Sequence, residues 1–331
     1  MLPSAIGLSA IAASEHMRVG FLKGVTFAAA LLTAVAFAAP ASAATKITFS
    51  YTPVSAWIGL YVAKDQGYLD NHGLDVDFAI AQNGSIISAA LVADSAQIGG
   101  PTPTVLLQAN EQGLDLVEIA GTSTYPVDTA SGIIARNDSG IRSAKDLIGK
   151  KVGVPGLGGI IDVLSKKWVQ TAGVDYHQVD WIELQFPQMG DALKTGLADA
   201  VALVDPFYSR IIASKVGYNF GDYGAVIPKG TVPVVYASTR SWATKNAQAV
   251  AALRAALHEA EAYLRDPAHL PAARDSLAKY TKLPPQIAAT LPITARLDID
   301  PTPESLAFWV GVSREQGLIK GNPDPKTLVV P

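Results

Sequence analysis

The sequence contains no cysteine. Disulfides, thiolate catalysis, iron–sulfur clusters and cysteine zinc sites are therefore excluded. The five histidines are scattered, at 16, 72, 177, 258 and 269, without the H-x-x-x-H or H-E-x-x-H spacing of a metal helix. Charge is sparse: 17% of the 331 residues are charged, and the formal net charge is −3. That gives no electrostatic footprint for nucleic acid or an anionic membrane. There is no G-x-S-x-G nucleophile element, no P-loop G-K-[ST] and no complete G-x-G-x-x-G. No cofactor, no metal and no catalytic set is expected.

What is present is a globular composition, 49% hydrophobic. Met17-Arg18-Val19-Gly20-Phe21-Leu22-Lys23 is a basic segment, Val25 to Ala39 is apolar, and Ala41-Ser42-Ala43 is an A-x-A site. This is the secretory signal pattern, and the apolar run is short for a span of about 20 residues. Translation is expected to start at Met17 and the mature chain near Ala44, which predicts an exported, periplasmic protein.

After residue 44, short apolar runs alternate with helical periods. Strands are predicted at Ile47–Tyr51, Asp75–Ile80, Ala96–Gly99, Leu116–Ala120, Gly132–Ala135, Val152–Pro155, Gln178–Leu184, Val201–Val204 and Thr231–Ser238. Helices fall between them, and the chain is helical from Thr244 onward. Such β-α repetition implies α/β architecture, with mainly parallel sheets flanked by helices.

One stretch invites a ligand. Val152 to Pro155 reads as a short buried strand, Gly156-Leu157-Gly158-Gly159 as a glycine turn, and the residues after it as the start of a helix carrying Val163, Leu164 and Trp168. Bare glycines let a ligand approach the backbone. The first N–H groups of a helix are unpaired and lie at its positive end. A tight strand-to-helix turn without a ligand is the plainer reading of the same residues.

Four segments carry a family likeness: Ala63-Lys64-Asp65-Gln66-Gly67-Tyr68 with Gly73-Leu74-Asp75-Val76; Asp94 to Gly100; Gly132 to Ile141 with Ala144 to Val154; and Leu193 to Ala200 followed by Asp205-Pro206-Phe207. The chain resembles the substrate-binding proteins of ABC importers in the nitrate/sulfonate/taurine, NMT1/THI5-like, group. The resemblance implies a two-lobe periplasmic-binding-protein fold with the ligand cleft between the lobes. One lobe is then 44–125 plus 233–331 and the other 126–232, after an upstream and signal segment at 1–43. It further implies a monomer that captures a small organic anion, a sulfonate or carboxylate with an aromatic or aliphatic body, and passes it to a membrane permease. Two other roles share the fold: an enzyme acting on a pyrimidine or aromatic precursor, and a sensor for a signalling partner.

In open α/β sheets ligands bind beyond the carboxyl ends of strands. The strand-end segments of this chain hold hydroxyls, amides, glycines and aromatics, and no lysine or arginine. The expected ligand-binding residues are Trp57, Asn83, Gly84, Thr102, Tyr125, Gly158, Gly159, Phe186, Asp205 and Phe207, with Ser85 beside them. Several have a second reading: Trp57 as helix packing, Asn83-Gly84 as a turn, Thr102 as a helix cap, and Asp205 as either a partner for a ligand amine or a turn cap. Arg240, just past the return strand, is the nearest candidate cation, and a solvated surface position suits it better.

Overall fold

A computed structural model describes residues 44–125 and 130–330. The predicted signal segment lies outside the described residues. The strands are β1 (Thr45–Tyr51), β2 (Leu74–Ile80), β3 (Ile98–Gly99), β4 (Leu116–Gly121), β5 (Ser131–Arg136), β6 (Lys151–Val154), β7 (Asp180–Glu183), β8 (Ala200–Val204), β9 (Gly217–Gly221) and β10 (Val235–Thr239). They form two five-stranded sheets, ordered β2-β1-β3-β10-β4 and β7-β6-β8-β5-β9.

The two sheets repeat one plan. In the first, β1 runs parallel to β2 and β3, and β10 opposes β3 and β4. In the second, β6 runs parallel to β7 and β8, and β5 opposes β8 and β9. Each sheet thus has four strands in one direction and one opposed strand, second from an edge. The opposed strand is the one that follows a passage of the chain between the sheets, β5 after β4 and β10 after β9. Parallel neighbours need helical crossovers, so both sheets acquire helical faces.

The helices of seven residues or more are α1 (Ile58–Asp65), α2 (Gly84–Val92), α3 (Pro103–Glu111), α4 (Ile160–Thr171), α5 (Met189–Thr195), α6 (Phe207–Ser214), α7 (Ala247–Leu264), α8 (Leu270–Thr281) and α9 (Pro303–Glu315). Their starts follow local rules. Asn83 caps α2 by accepting from Ile86 N–H at 3.1 Å. Proline occupies the first position of α3, where no N–H is needed. Gly159 precedes α4 and offers no side-chain cap.

Two elements add to those expected from the sequence. α6 follows Asp205-Pro206, and β9 is a half-buried strand between Gly217 and Gly221. The last strand starts at Val235 rather than Thr231, because Pro233 has no N–H to give a ladder.

Three apolar clusters pack on the sheets, one of them, with Ile87, Leu91 and Leu106, under α2 and α3 on the first. Phe49, Tyr51, Trp57 and Tyr61 pack with α1, α7 and α8 on the first. Ile133, Val152, Leu164 and Leu203 fill the second, joined by Leu306 and Trp309 of α9. α9 bridges the two halves. Trp309 Nε1 donates to Val232 O at 2.8 Å on the second passage, and Gln316 Nε2 reaches Val163 O of α4 at 2.8 Å.

Candidate functional site

A cleft of about 170 Å³ opens between the carboxyl ends of the two sheets. Lobe-like walls face each other across it. From the first sheet come the end of β1 (Thr52 to Trp57), the turn into α2 (Gln82 to Gly84) and the turn into α3 (Gly100, Thr102, Val105). From the second come Pro155, Gly156, Gly159 and the first turns of α4 (Ile160, Ile161, Leu164), with Phe186 and Val204. Among the described residues, no aspartate, glutamate, lysine, arginine or histidine lines it.

Trp57 forms the floor. It is 1% exposed, stands edge-on to Phe49 and Tyr236 with ring centres 5.1 Å apart in each case, and donates Nε1–H to Thr52 O at 3.0 Å. Gly100 lies flat under the indole, where a Cβ would collide with the ring. Phe186 stacks on Phe207 at 4.7 Å with planes 3° apart, and only Phe186 reaches the cleft. Tyr223 presents its ring while its hydroxyl donates to Leu203 O at 2.9 Å. Burial raises the Tyr223 and Tyr125 phenols, so both stay protonated at neutral pH.

The glycine turn is held from behind. Gly158 adopts φ +75°, which glycine reaches without strain. Its N–H donates to Asp162 Oδ2 at 2.8 Å, and its carbonyl accepts from Gln108 Nε2 of α3 at 2.9 Å. Asp162 is fully buried and paired with Lys166 Nζ at 2.7 Å. Burial pushes the Asp162 carboxyl up, against the pull of Lys166 and the Gly158 N–H. Gly159 N–H donates in turn to Gly156 O at 3.1 Å, and the first N–H groups of α4, at Ile160 and Ile161, begin the helix beside the cleft without an intrahelical partner.

This sequence matches the family described as NMT1/THI5 like over residues 55–269. The chain belongs to that family. Among relatives, a formylaminopyrimidine-binding protein from Halalkalibacterium halodurans is 27% identical over 183 residues, 55% of this chain and 54% of that protein. The chain spans about half the length of that curated relative. Among solved structures, the periplasmic aliphatic sulphonate binding protein SsuA from Escherichia coli has a TM-score of 0.70 at 22% identity, covering 86% of this chain and 96% of that one. The periplasmic nitrate-binding protein NrtA from Synechocystis PCC 6803 has a TM-score of 0.73 at 15% identity, covering 86% and 84%. At such identities the structural likeness establishes the fold, that of periplasmic binding proteins.

In this NMT1/THI5-like chain, Trp57, Asn83, Gly84, Thr102, Tyr125, Gly159 and Phe186 come together on the cleft wall. Three expected positions do not. Gly158 is turned away, with both backbone groups engaged by Asp162 and Gln108. Asp205 is 1% exposed and acts as a turn cap: Oδ1 accepts from Ser209 N–H at 3.0 Å and Oδ2 from Ala130 N–H at 3.2 Å. Burial raises its carboxyl, and those bonds oppose the rise. Phe207 supports Phe186 from the rear. Ser85 is exposed and outside the wall. Arg240 is engaged by Asp115 at 2.9 Å and by Thr327 O at 2.6 Å.

Tyr223, Ile227, Leu164 and Thr294 also line the cleft without having been expected there. Tyr223 and Ile227 arrive on a single short 3-10 turn after β9. Its one sequence signal is Asp222, whose side chain accepts from Gly224 N–H at 2.8 Å. Among the described residues no helix is long and apolar enough to cross a membrane.

Proposed function

We propose that this NMT1/THI5-like chain is a periplasmic solute receptor of an ABC importer. It captures a small organic anion, a sulfonate or carboxylate on a flat apolar body, and delivers it to a membrane permease. Residues 44–125 with 233–331 act as one lobe and 126–232 as the other, closing about the two chain passages, with α9 spanning both as a strut. Hinge closure of this kind buries a ligand between lobes.

One observation carries the reading. The starts of α2, α3 and α4 all contribute to a cleft wall with no charged side chain among its described residues. The unpaired N–H groups and dipole of α4 supply positive potential there. Trp57, Tyr125, Phe186 and Tyr223 supply a ring-shaped apolar enclosure, the usual composition of a small-molecule pocket. The described wall offers hydroxyls and backbone groups, which is chemistry suited to holding a solute. The relatives' printed names, for formylaminopyrimidine, sulphonate and nitrate binding, point the same way.

Thermal-shift screening of residues 44–331 tests it. A sulfonate or carboxylate at about 100 times its Kd adds roughly 2.7 kcal/mol of stability. A melt moved by amines and by no anion contradicts the reading.

A further inference from the structure

The cleft with no charge among its described wall residues has a carboxylate at its mouth. Glu183 ends β7 on the second sheet. Its Oε1 accepts from Asn83 Nδ2 at 3.1 Å, and its Oε2 accepts from Leu157 N–H at 3.3 Å. Asn83 belongs to the first wall and Leu157 to the glycine turn of the second. The orientation of the Asn83 amide is fixed, because its oxygen is already committed to Ile86 N–H. That leaves the NH₂ group facing Glu183. Gly156 packs close by, with its Cβ direction 3.6 Å from Asn83 Cβ. One carboxylate therefore ties the cap of α2 to the turn before α4, directly over wall residues Asn83, Gly84 and Gly156.

The charge around it is one-sided. Asp162 lies behind the same turn, and the Glu183 charge helps to hold its carboxyl up. Lys166, one turn further along α4, is taken by Asp162. A ligand's first negative charge meets the N–H groups of α4. A second meets Glu183, with no counter-charge among the described wall residues. Discrimination by an unpaired like charge is a recognised route to specificity.

We propose that Glu183 is a specificity-determining residue: it latches the two walls at the cleft mouth and limits the bound ligand to one negative charge. This rests on the anion reading above. Because Glu183 is exposed on its outer side, water screens part of its field, and the expected discrimination is moderate, about tenfold.

Two measurements decide it. Calorimetric titration compares benzenesulfonate with benzene-1,3-disulfonate on the same ring. The native chain is expected to favour the monoanion by about tenfold or more, and Glu183→Gln to narrow the ratio to about threefold or less. Equal binding of both by the native chain, or an unchanged ratio in Glu183→Gln, overturns the charge limit. The second measurement needs no ligand. Since the chain has no cysteine, a Val92→Cys/Leu197→Cys pair, at positions 48% and 54% exposed, accepts spin labels cleanly. Glu183→Ala is expected to lengthen and broaden the label-to-label distances, and an unchanged distribution overturns the latch. Failure of both sulfonates to bind the native chain would refute the anion reading and the charge limit together, while the label distances still decide the latch.

Discussion

The first sheet's wall is positioned by core packing, whereas the glycine turn of the second is positioned by directed hydrogen bonds. On the first, Trp57 is locked by Phe49, Tyr236 and the hydrogen bond to Thr52 O, and its position follows from core packing. On the second, the Pro155–Ile160 turn is held by a few directed bonds from Asp162, Gln108 and Glu183. Burial of a large aromatic is worth several kcal/mol, while a single hydrogen bond is worth about 1 kcal/mol. The first wall is thus stiff because the core is stiff. The second is shaped by interactions that are individually weak and geometrically specific. Changes on the first wall should register in stability, and changes on the second in affinity.

The largest expected effect is Trp57→Ala, which costs about 3–5 kcal/mol in urea unfolding. A loss below about 1 kcal/mol with ligand binding abolished would show that Trp57 is a contact rather than a packed floor.

Glu118 comes next. It is fully buried in β4, with Oε2 accepting from Ser305 Oγ at 3.1 Å and Oε1 without a protein partner. Burial pushes its carboxyl up to about 8 from an ordinary value of 4.5. Between those two values the folded chain holds a proton that the unfolded chain releases. Stability contributed by the protonated form is therefore present below about 4.5 and lost as pH rises through about 8. Glu118→Gln should flatten the pH dependence of the unfolding free energy between pH 5 and 9 by an amount on the order of 2–4 kcal/mol, read by urea unfolding. A native profile as flat as that of the variant would remove the burial argument from this edge of the first sheet.

Gly158→Ala is smaller in stability, about 1–2 kcal/mol for a left-handed backbone. The added Cβ would lie 2.8 Å from Gln108 Oε1, so the bond that holds the turn is disturbed. Affinity for benzenesulfonate should fall by about tenfold, the scale of one hydrogen bond. If stability changes as much as for Trp57→Ala and affinity does not, the contrast between the walls is reversed. Arg240→Ala should be the smallest, within about 0.5 kcal/mol and with no change in titration. A measurable loss of affinity would place a cation in the binding reach of the cleft after all.

Much of the scaffold was legible because β-α alternation is written in local patterns. Ala247–Leu264 and Leu116–Gly121 show it, the one by helical period and the other by an apolar run. The strand ends then located most of the wall, from Trp57 and Asn83 to Phe186. What was illegible was direction. Gly158 and Gly159 are adjacent, yet one faces Gln108 and the other the cleft. The outcome depends on Asp162, four residues on, and on α3 from the other sheet. Phe186 and Phe207 look alike in sequence, and their order in the stack is set by long-range packing. Asp205 sits at a strand end like a ligand residue, but its short side chain is consumed by Ser209 and Ala130 N–H groups. Tyr223 and Ile227 reach the cleft on a single short 3-10 turn, too brief to show a period.

The central claim is that backbone N–H groups at the start of α4 bind the anion. Ile160→Pro tests it most directly. Proline is tolerated at the first helical position, and Gly159, at φ −75° and ψ 168°, already has the extended backbone that a following proline requires. The change deletes one N–H and spares the helix, with Ile160→Val as the control that keeps it. Calorimetric titration with benzenesulfonate should show Kd raised by about tenfold or more in Ile160→Pro relative to Ile160→Val, the scale of a charge-assisted hydrogen bond. Equal affinities in the two variants, at equal melting temperatures, would contradict the account.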